Sequence, residues 1–309
     1  MSLRQWLWLW LLSVFWGSAF IFMEVALPTL SPLLIVTGRM VIAAIVLNGV
    51  LWFSPQQPAL LSKASPLLWL QCGGLSLLNN LIPFGLVVWA QQHISASLAS
   101  ILIAAAPLFT VLLAVFILRD RMTLARGLGV VLGFAGVVVL VGPEVLRGLD
   151  LQGIGELAIL GAALSYAVAG FAGRRFKAFP SQLISTMTVT MGAAIIVPLT
   201  LIVEWPFTAG PFTAGGALIE WRWSAFLAVA ALGIFSTGLA YLLYFRLLAE
   251  AGVVNTSLVS FLVPLSALIL GTVFLHERLD SAAIAGMALI LSGLAVLDGR
   301  LLGKLGVPS

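Results

Sequence analysis

Two stretches decide the fold: PLFTVLLAVFILRDR, from Pro107 to Arg121, and PLSALILGTVFLHER, from Pro264 to Arg278. Each opens on proline, runs through a mostly apolar segment and closes on an acid flanked by basic residues. Shifting the chain by 157 residues lays residues 100–140 over 257–297 without a gap, with twelve identities in 41 positions. Leucine matches mean little in apolar sequence. The informative matches are Pro107/Pro264, Arg121/Arg278, Gly129/Gly286 and Gly136/Gly293, with the acid pair Asp120/Glu277. At the same offset Phe84 meets Tyr241, and Asn79-Asn80 meet Ser236-Thr237. A related match at an offset of 150 sets Trp16 over Tyr166. The chain is one unit written twice.

Of the 309 residues, 61% are hydrophobic and 8% charged. A soluble domain carries about 25% charged residues, so the sequence reads as an integral membrane protein. The net charge of +4 is not a nucleic-acid signal, because in a membrane protein the placement of Lys and Arg matters more than their number. Cys72 is alone, which excludes an intramolecular disulfide and leaves the spacing rules for zinc and redox sites nothing to act on. No ATP-binding motif is present. The expected partners are a small-molecule substrate and the lipid bilayer, with no nucleic acid, no ATP, no metal and no cofactor.

A helix needs about 20 apolar residues to cross a bilayer. Ten segments qualify as spans: about 5–27, 32–53, 66–90, 95–118, 124–141, 153–173, 181–203, 223–247, 252–275 and 281–297. The breaks carry turn residues, at Pro28 and Pro32, Pro55 to Pro58, Gly142-Pro143 and Pro180-Ser181. The first run is too long for a signal peptide and reads as a span. Five spans per unit is an odd number, so the second copy enters from the opposite side, an inverted repeat of the kind secondary transporters use. The expected organisation is a first repeat at 1–142, a crossover loop at 143–152, a second repeat at 153–298 and a cytoplasmic tail at 299–309. With both termini inside, the inner segments hold 11 Lys and Arg (Lys63, Arg119, Arg121 and Arg126 among them), the outer ones 3 (Arg147, Arg222, Arg278), and Arg39 lies within a span. The positive-inside rule therefore favours N-in and C-in. Trp6, Trp8, Trp52, Trp69, Trp89, Trp205, Trp221 and Trp223 fall near span ends, as interfacial rings should; Trp16 falls near the middle of span 1. The loop at about 204–222, with its PFTAG-PFTAG tandem, reads as flexible and without chemistry.

His276-Glu277-Arg278 admits two readings: a metal or acid/base cluster, or charges at a helix end. The same acid stands at the same place in the first copy, which favours the helix end, with Glu277 and Asp280 complementing the N-terminus of the last helix. The proline-to-HER motif, the doubled architecture, WGSAF at Trp16–Phe20 and Gly38-Arg39 in span 2 together resemble the EamA-type proteins of the drug/metabolite transporter superfamily, over nearly the whole chain. The resemblance implies a ten-helix exporter of amino acids or other small metabolites, with a central cavity between the repeats.

Charges inside spans are costly and are usually paired or functional. Glu24 and Arg39 lie within spans 1 and 2 near their shared turn. They could form a structural ion pair. Alternatively Arg39 or Glu24 faces the cavity and binds a substrate carboxylate or ammonium group, or Glu24 carries a proton. Polar uncharged side chains should face inward: Trp16 and Ser18 on span 1, Asn79 and Asn80 on span 3, Ser165 and Tyr166 on span 6, and Ser236, Thr237, Tyr241 and Tyr244 on one face of span 8. Of these, Trp16, Ser18, Arg39, Asn79, Asn80, Tyr166, Ser236, Tyr241 and Tyr244 are the substrate-binding candidates, Glu24 the proton-coupling candidate, and Pro107 and Pro264 the hinge candidates. His93 reads as a turn residue.

An intramembrane enzyme is disfavoured. No HExxH occurs, all four Asp (120, 150, 280, 298) lie in loops or at ends, and His93 and His276 lie outside the spans. A secondary transporter in the plasma membrane (the inner membrane of a Gram-negative cell) fits best. A transporter of another solute class (drug, nucleoside, sugar, lipid) and a non-transporting membrane subunit are the alternatives.

Overall fold

The structure, a computed structural model, describes residues 1–54, 64–119, 122–141, 150–204, 213–214, 217–218, 222–278 and 280–298. Lys63, Asp120, Arg121, Arg147, Trp205 and Trp221, the crossover loop apart from residues 150–152, most of the PFTAG tandem and the 299–309 tail lie outside the described residues.

A chain with so few polar side chains must satisfy its backbone internally, and helices do this segment by segment. In chain order they are α1 (Leu3–Ala26), α2 (Pro32–Trp52), α3 (Pro66–Ala90), α4 (Ala96–Ile117), α5 (Leu124–Val141), α6 (Leu151–Gly173), α7 (Ser181–Glu204), α8 (Trp223–Gly252), α9 (Val259–Phe274) and α10 (Ser281–Asp298). Seven of the described helices are long and apolar enough to cross a membrane, and three apolar ones (α5, α9, α10) are shorter. The starts follow from local chemistry. Ser2, Ser31, Ser65, Ser95 and Asp150 each accept the backbone N–H three residues on, and Pro32 and Pro66 stand in first turns, where a missing N–H costs nothing. Between α8 and α9 the path breaks at Gly252, whose φ of 79° suits glycine. In the 204–222 loop Thr213–Ala214 pairs antiparallel with Ala217–Leu218.

The helices of the first half pack mainly on those of the second. α1 lies on α8 and α9, α2 on α7 and α8, α3 on α6 and α7, α4 on α6 and α9, and α5 on α10. Exchanging each helix with the one five places on reproduces these pairings. Finer features repeat at the 157-residue offset too. α3 contains a π segment at Leu77–Leu81 and α8 another at Ile234–Leu239. The non-glycine residues with positive φ among those described are Arg119 (53°) and His276 (55°), each just past a helix end. α5 and α10 run antiparallel over glycines: a β-carbon on Gly136 would stand 2.6 Å from the Gly286 carbonyl oxygen, and one on Gly293 2.6 Å from the Gly129 carbonyl oxygen. Small residues let helix backbones approach this closely.

At one end of the bundle Arg4 reaches Glu250 at 2.9 Å, Arg246 reaches it at 3.3 Å, and both guanidinium groups lie over Trp8, at 4.9 and 4.3 Å from its ring centre. The opposite end is closed by Glu277. Its carboxylate accepts the backbone N–H of Ala96 (2.9 Å) and Ser97 (3.0 Å) and the Ser97 hydroxyl. This answers the HER question with a correction. Glu277 does cap a helix, but it is α4, far along the chain, and not α10. Asp280 caps α10, accepting from Ala283 N–H at 2.7 Å.

Candidate functional site

Arg39 lies on α2, seven residues past its start at Pro32, where that helix crosses α8. The crossing is tight. A β-carbon on Gly233 would stand 2.7 Å from Ile42 and 3.1 Å from the Arg39 carbonyl oxygen. Arg39 is 5% exposed. Its Nε–H donates to Thr237 Oγ1 at 2.8 Å, and its guanidinium carbon lies over Phe84, 3.5 Å from the ring centre. Thr237 hydroxyl in turn donates to the Leu232 carbonyl, at 3.4 Å. The two terminal nitrogens of Arg39 meet no protein acceptor among the described residues, yet they are not among the sealed, unpartnered polar atoms.

The first π segment meets α8 beside this centre, just past the second π segment. Asn79 Nδ2 donates to the Tyr241 hydroxyl (3.0 Å), and that hydroxyl donates to Asn80 Oδ1 (2.9 Å). Asn80 Nδ2 donates to Ser76 Oγ (3.2 Å). Ser165 of α6 donates to the Leu78 carbonyl at 2.7 Å, occupying a backbone acceptor inside the π segment. Such one-residue widenings of a helix are frequent at functional sites. Trp16 packs against Tyr244 (ring centres 5.6 Å apart), and Phe245 lies against Tyr244 (5.3 Å) and Tyr241 (6.3 Å). The arrangement is a buried cationic fork, an amide–phenol network and an aromatic wall, contributed by both halves of the chain.

The candidates named from sequence divide accordingly. Arg39, Asn79, Asn80 and Tyr241 converge, with half-buried Tyr166 packed on the same core. Trp16 and Tyr244 form the adjoining wall. Ser236 is buried and its hydroxyl has no partner among the described residues. Ser18 spends its hydroxyl on the Phe15 carbonyl of its own helix (3.1 Å). The ion pair between Glu24 and Arg39 is absent. Glu24 instead accepts from Gln91 Nε2 at 3.3 Å near the Glu277 end, and the same amide group donates to the Phe20 carbonyl (2.9 Å). Arg39 is turned instead toward Thr237 of α8 and Phe84 of α3. The prolines differ as well. Pro107 follows an interruption of α4 at Ala104–Ala105, whereas Pro264 lies within α9. His93 lies in the α3–α4 turn against Trp89, ring centres 4.9 Å apart.

Three residues gain their weight only from the fold. In sequence Thr237 is one inward-facing polar side chain among several, and Phe84 a repeat match. Glu156 of α6 is 2% exposed, with Oε1 accepting from Gln152 at 3.3 Å and Oε2 unpartnered among the described residues. A glutamate in the first turns of a helix reads as an ordinary dipole partner, and only its tertiary burial sets it apart.

Comparison with known proteins agrees with this architecture. The family model of the EamA-like transporter family matches residues 4–142 and again 153–297. An uncharacterized transporter of Bacillus subtilis is 26% identical over 283 residues, covering 91% of this chain and 92% of that protein. A probable amino-acid metabolite efflux pump of Escherichia coli is 24% identical over 296 residues, covering 93% and 92%. A solved crystal structure superposes with a TM-score of 0.65 at 21% identity, covering 98% of this chain and 99% of that one, a likeness of fold.

Proposed function

The chain belongs to the EamA-like transporter family, and from that premise we propose that this integral membrane transporter exports amino acids or related small metabolites by alternating access between two five-helix repeats. The reading takes all ten helices as spans, the second repeat as inverted relative to the first, and both termini as cytoplasmic. The Lys and Arg distribution supports that orientation. The exchange symmetry of the helix pairings, the matched π segments and the antiparallel α5–α10 contact support the inversion. The plasma membrane is the expected location.

One observation carries the reading: the Arg39 fork, buried between the halves, with neither terminal nitrogen bonded to a protein acceptor among the described residues. An unpaired guanidinium at such depth is costly unless something anionic fills its place. A substrate carboxylate does so bidentately. Asn79, Asn80, Tyr241 and Ser236 then offer neutral donors and acceptors to the rest of a zwitterion, and Trp16, Tyr166 and Tyr244 offer rings to its apolar part. Ser18 serves as helix packing. Glu24, half-buried near one end, is the candidate through which a proton gradient is felt, and Pro107 and Pro264 are the hinges about which α4 and α9 bend. The relative named as an amino-acid metabolite efflux pump lends support to the substrate class.

The test is counterflow in proteoliposomes with a panel of labelled amino acids. Saturable exchange of one class is expected. Arg39→Gln should raise its half-saturation about 10- to 100-fold, since hydrogen bonds to charged groups contribute about 1.5–3 kcal/mol. Wild-type protein that exchanges no amino acid overturns the substrate class and points to drugs, nucleosides, sugars or lipids. No flux of any of these would leave a non-transporting subunit.

A further inference from the structure

We infer that Thr237 is a positioning residue for the Arg39 fork, and that the π segment carrying it sets the fork end-on for a carboxylate group. The inference rests on the reading of Arg39 as the substrate anion site.

The geometry assigns each hydrogen. A threonine hydroxyl has one hydrogen and two lone pairs. Here the hydrogen is committed to the Leu232 carbonyl at 3.4 Å, five residues back, and a lone pair receives Arg39 Nε–H at 2.8 Å. Five residues is the spacing of a π turn. Thr237 therefore reads the local helix winding through its donor and passes it to Arg39 through its acceptor. Phe84 fixes the remaining freedom: with the ring 3.5 Å beneath it, the guanidinium can rotate in its own plane but cannot tip. The Nε bond stops the in-plane rotation.

The consequence is selective. A guanidinium can meet a carboxylate side-on, through Nε and one terminal nitrogen, or end-on, through the two terminal nitrogens. Thr237 occupies Nε and so leaves the end-on pair alone. That pair matches the two oxygens of a carboxylate. Rewinding residues 234–239 as an ordinary α-turn would move the Thr237 hydroxyl off its lone-pair alignment and free the fork, so helix winding in α8 and substrate affinity are linked.

Two variants separate this from a structural role. Thr237→Val keeps the shape and removes the hydroxyl, whereas Thr237→Ser keeps the hydroxyl. In ¹⁵N-arginine-labelled protein in lipid nanodiscs without substrate, the Arg39 Nε–H signal, identified by its loss in Arg39→Lys, should exchange slowly with water in wild type and Thr237→Ser. It should exchange rapidly in Thr237→Val. In counterflow with the exchanging amino acid, Thr237→Val should raise half-saturation about tenfold with the maximal rate within twofold, and Thr237→Ser should restore wild-type values. A slow Nε–H in Thr237→Val overturns the proposal. So does an altered Nε–H with unchanged half-saturation. The spectroscopic arm needs no substrate. If it behaves as expected while no amino acid is exchanged, the substrate class has failed and the Thr237–Arg39 coupling stands.

Discussion

Replacing Gly136 with alanine should destabilise the protein, although alanine is the better helix former. The added β-carbon would stand 2.6 Å from the Gly286 carbonyl oxygen, 2.8 Å from Ile290 N and 2.9 Å from Ile290 Cγ1, where ordinary contact begins at 3.4 Å. α5 and α10 would therefore have to part by up to 0.8 Å. Two of the three clashing atoms are backbone, so a change of rotamer cannot relieve them. A gap of that size forfeits about a quarter to a half of each dispersion contact it opens, and overpacking of this kind costs about 1–3 kcal/mol. The better propensity of alanine returns about 1 kcal/mol. The net loss should be about 0–2 kcal/mol, a fall of up to about 8 °C in melting temperature at roughly 2–4 °C per kcal/mol. Gly170→Ala is the matched control, because a β-carbon there meets nothing within 4 Å, and it should raise the melting temperature by a few degrees. The assay is thermal melting in detergent followed by circular dichroism. Reactivity of the one buried thiol, Cys72, serves as a second report of unfolding. If Gly136→Ala melts with or above Gly170→Ala, the close α5–α10 approach is wrong.

Two further outcomes follow from the hydrogen bonds. Tyr241→Phe leaves Asn80 Oδ1 without its donor and Asn79 Nδ2 without its acceptor at the centre of the bundle; it should cost about 1–3 kcal/mol, read as a lower melting temperature, and unchanged melting would remove the network from the account. Glu277→Ala strips the first turn of α4 of its acceptor and should cost about 0.5–2 kcal/mol, with Glu277→Gln intermediate; an alanine variant as stable as wild type would show that Ser95 alone suffices as cap.

Much of the fold was legible because punctuation survives in apolar sequence. Pro107 and Pro264, Gly129 and Gly286, and Gly136 and Gly293 located the repeat, and the capping serines fall where the helices begin. The site was legible in its membership more than in its pairings. Asn79 and Asn80 were visible as costly amides, but their partner Tyr241 lies more than 160 residues away. Whether Glu24 pairs with Arg39 stays open in the sequence because proximity in a hairpin says nothing of which face each side chain takes. Helices that are apolar all round have no amphipathic stripe to orient them. Glu277 misled for the same reason, since the helix it caps comes from the other half of the chain.

The two π segments bear on how this chain can change over evolutionary time. Each is in effect a single inserted residue held within an otherwise regular helix. Deleting one residue from 77–81 or from 234–239 would let the segment close into ordinary α-turns, and the helix beyond would keep nearly its former azimuth, because five residues in the wider winding turn about as far as four in an α-helix. What is lost is local: Asn79 and Asn80 would no longer both meet Tyr241 in one case, and Thr237 would lose the Leu232 carbonyl in the other. Alignments of relatives should therefore tolerate a one-residue gap at 77–81 or 234–239 while keeping Phe84 and Tyr244 in register, a change that alters the site and spares the scaffold.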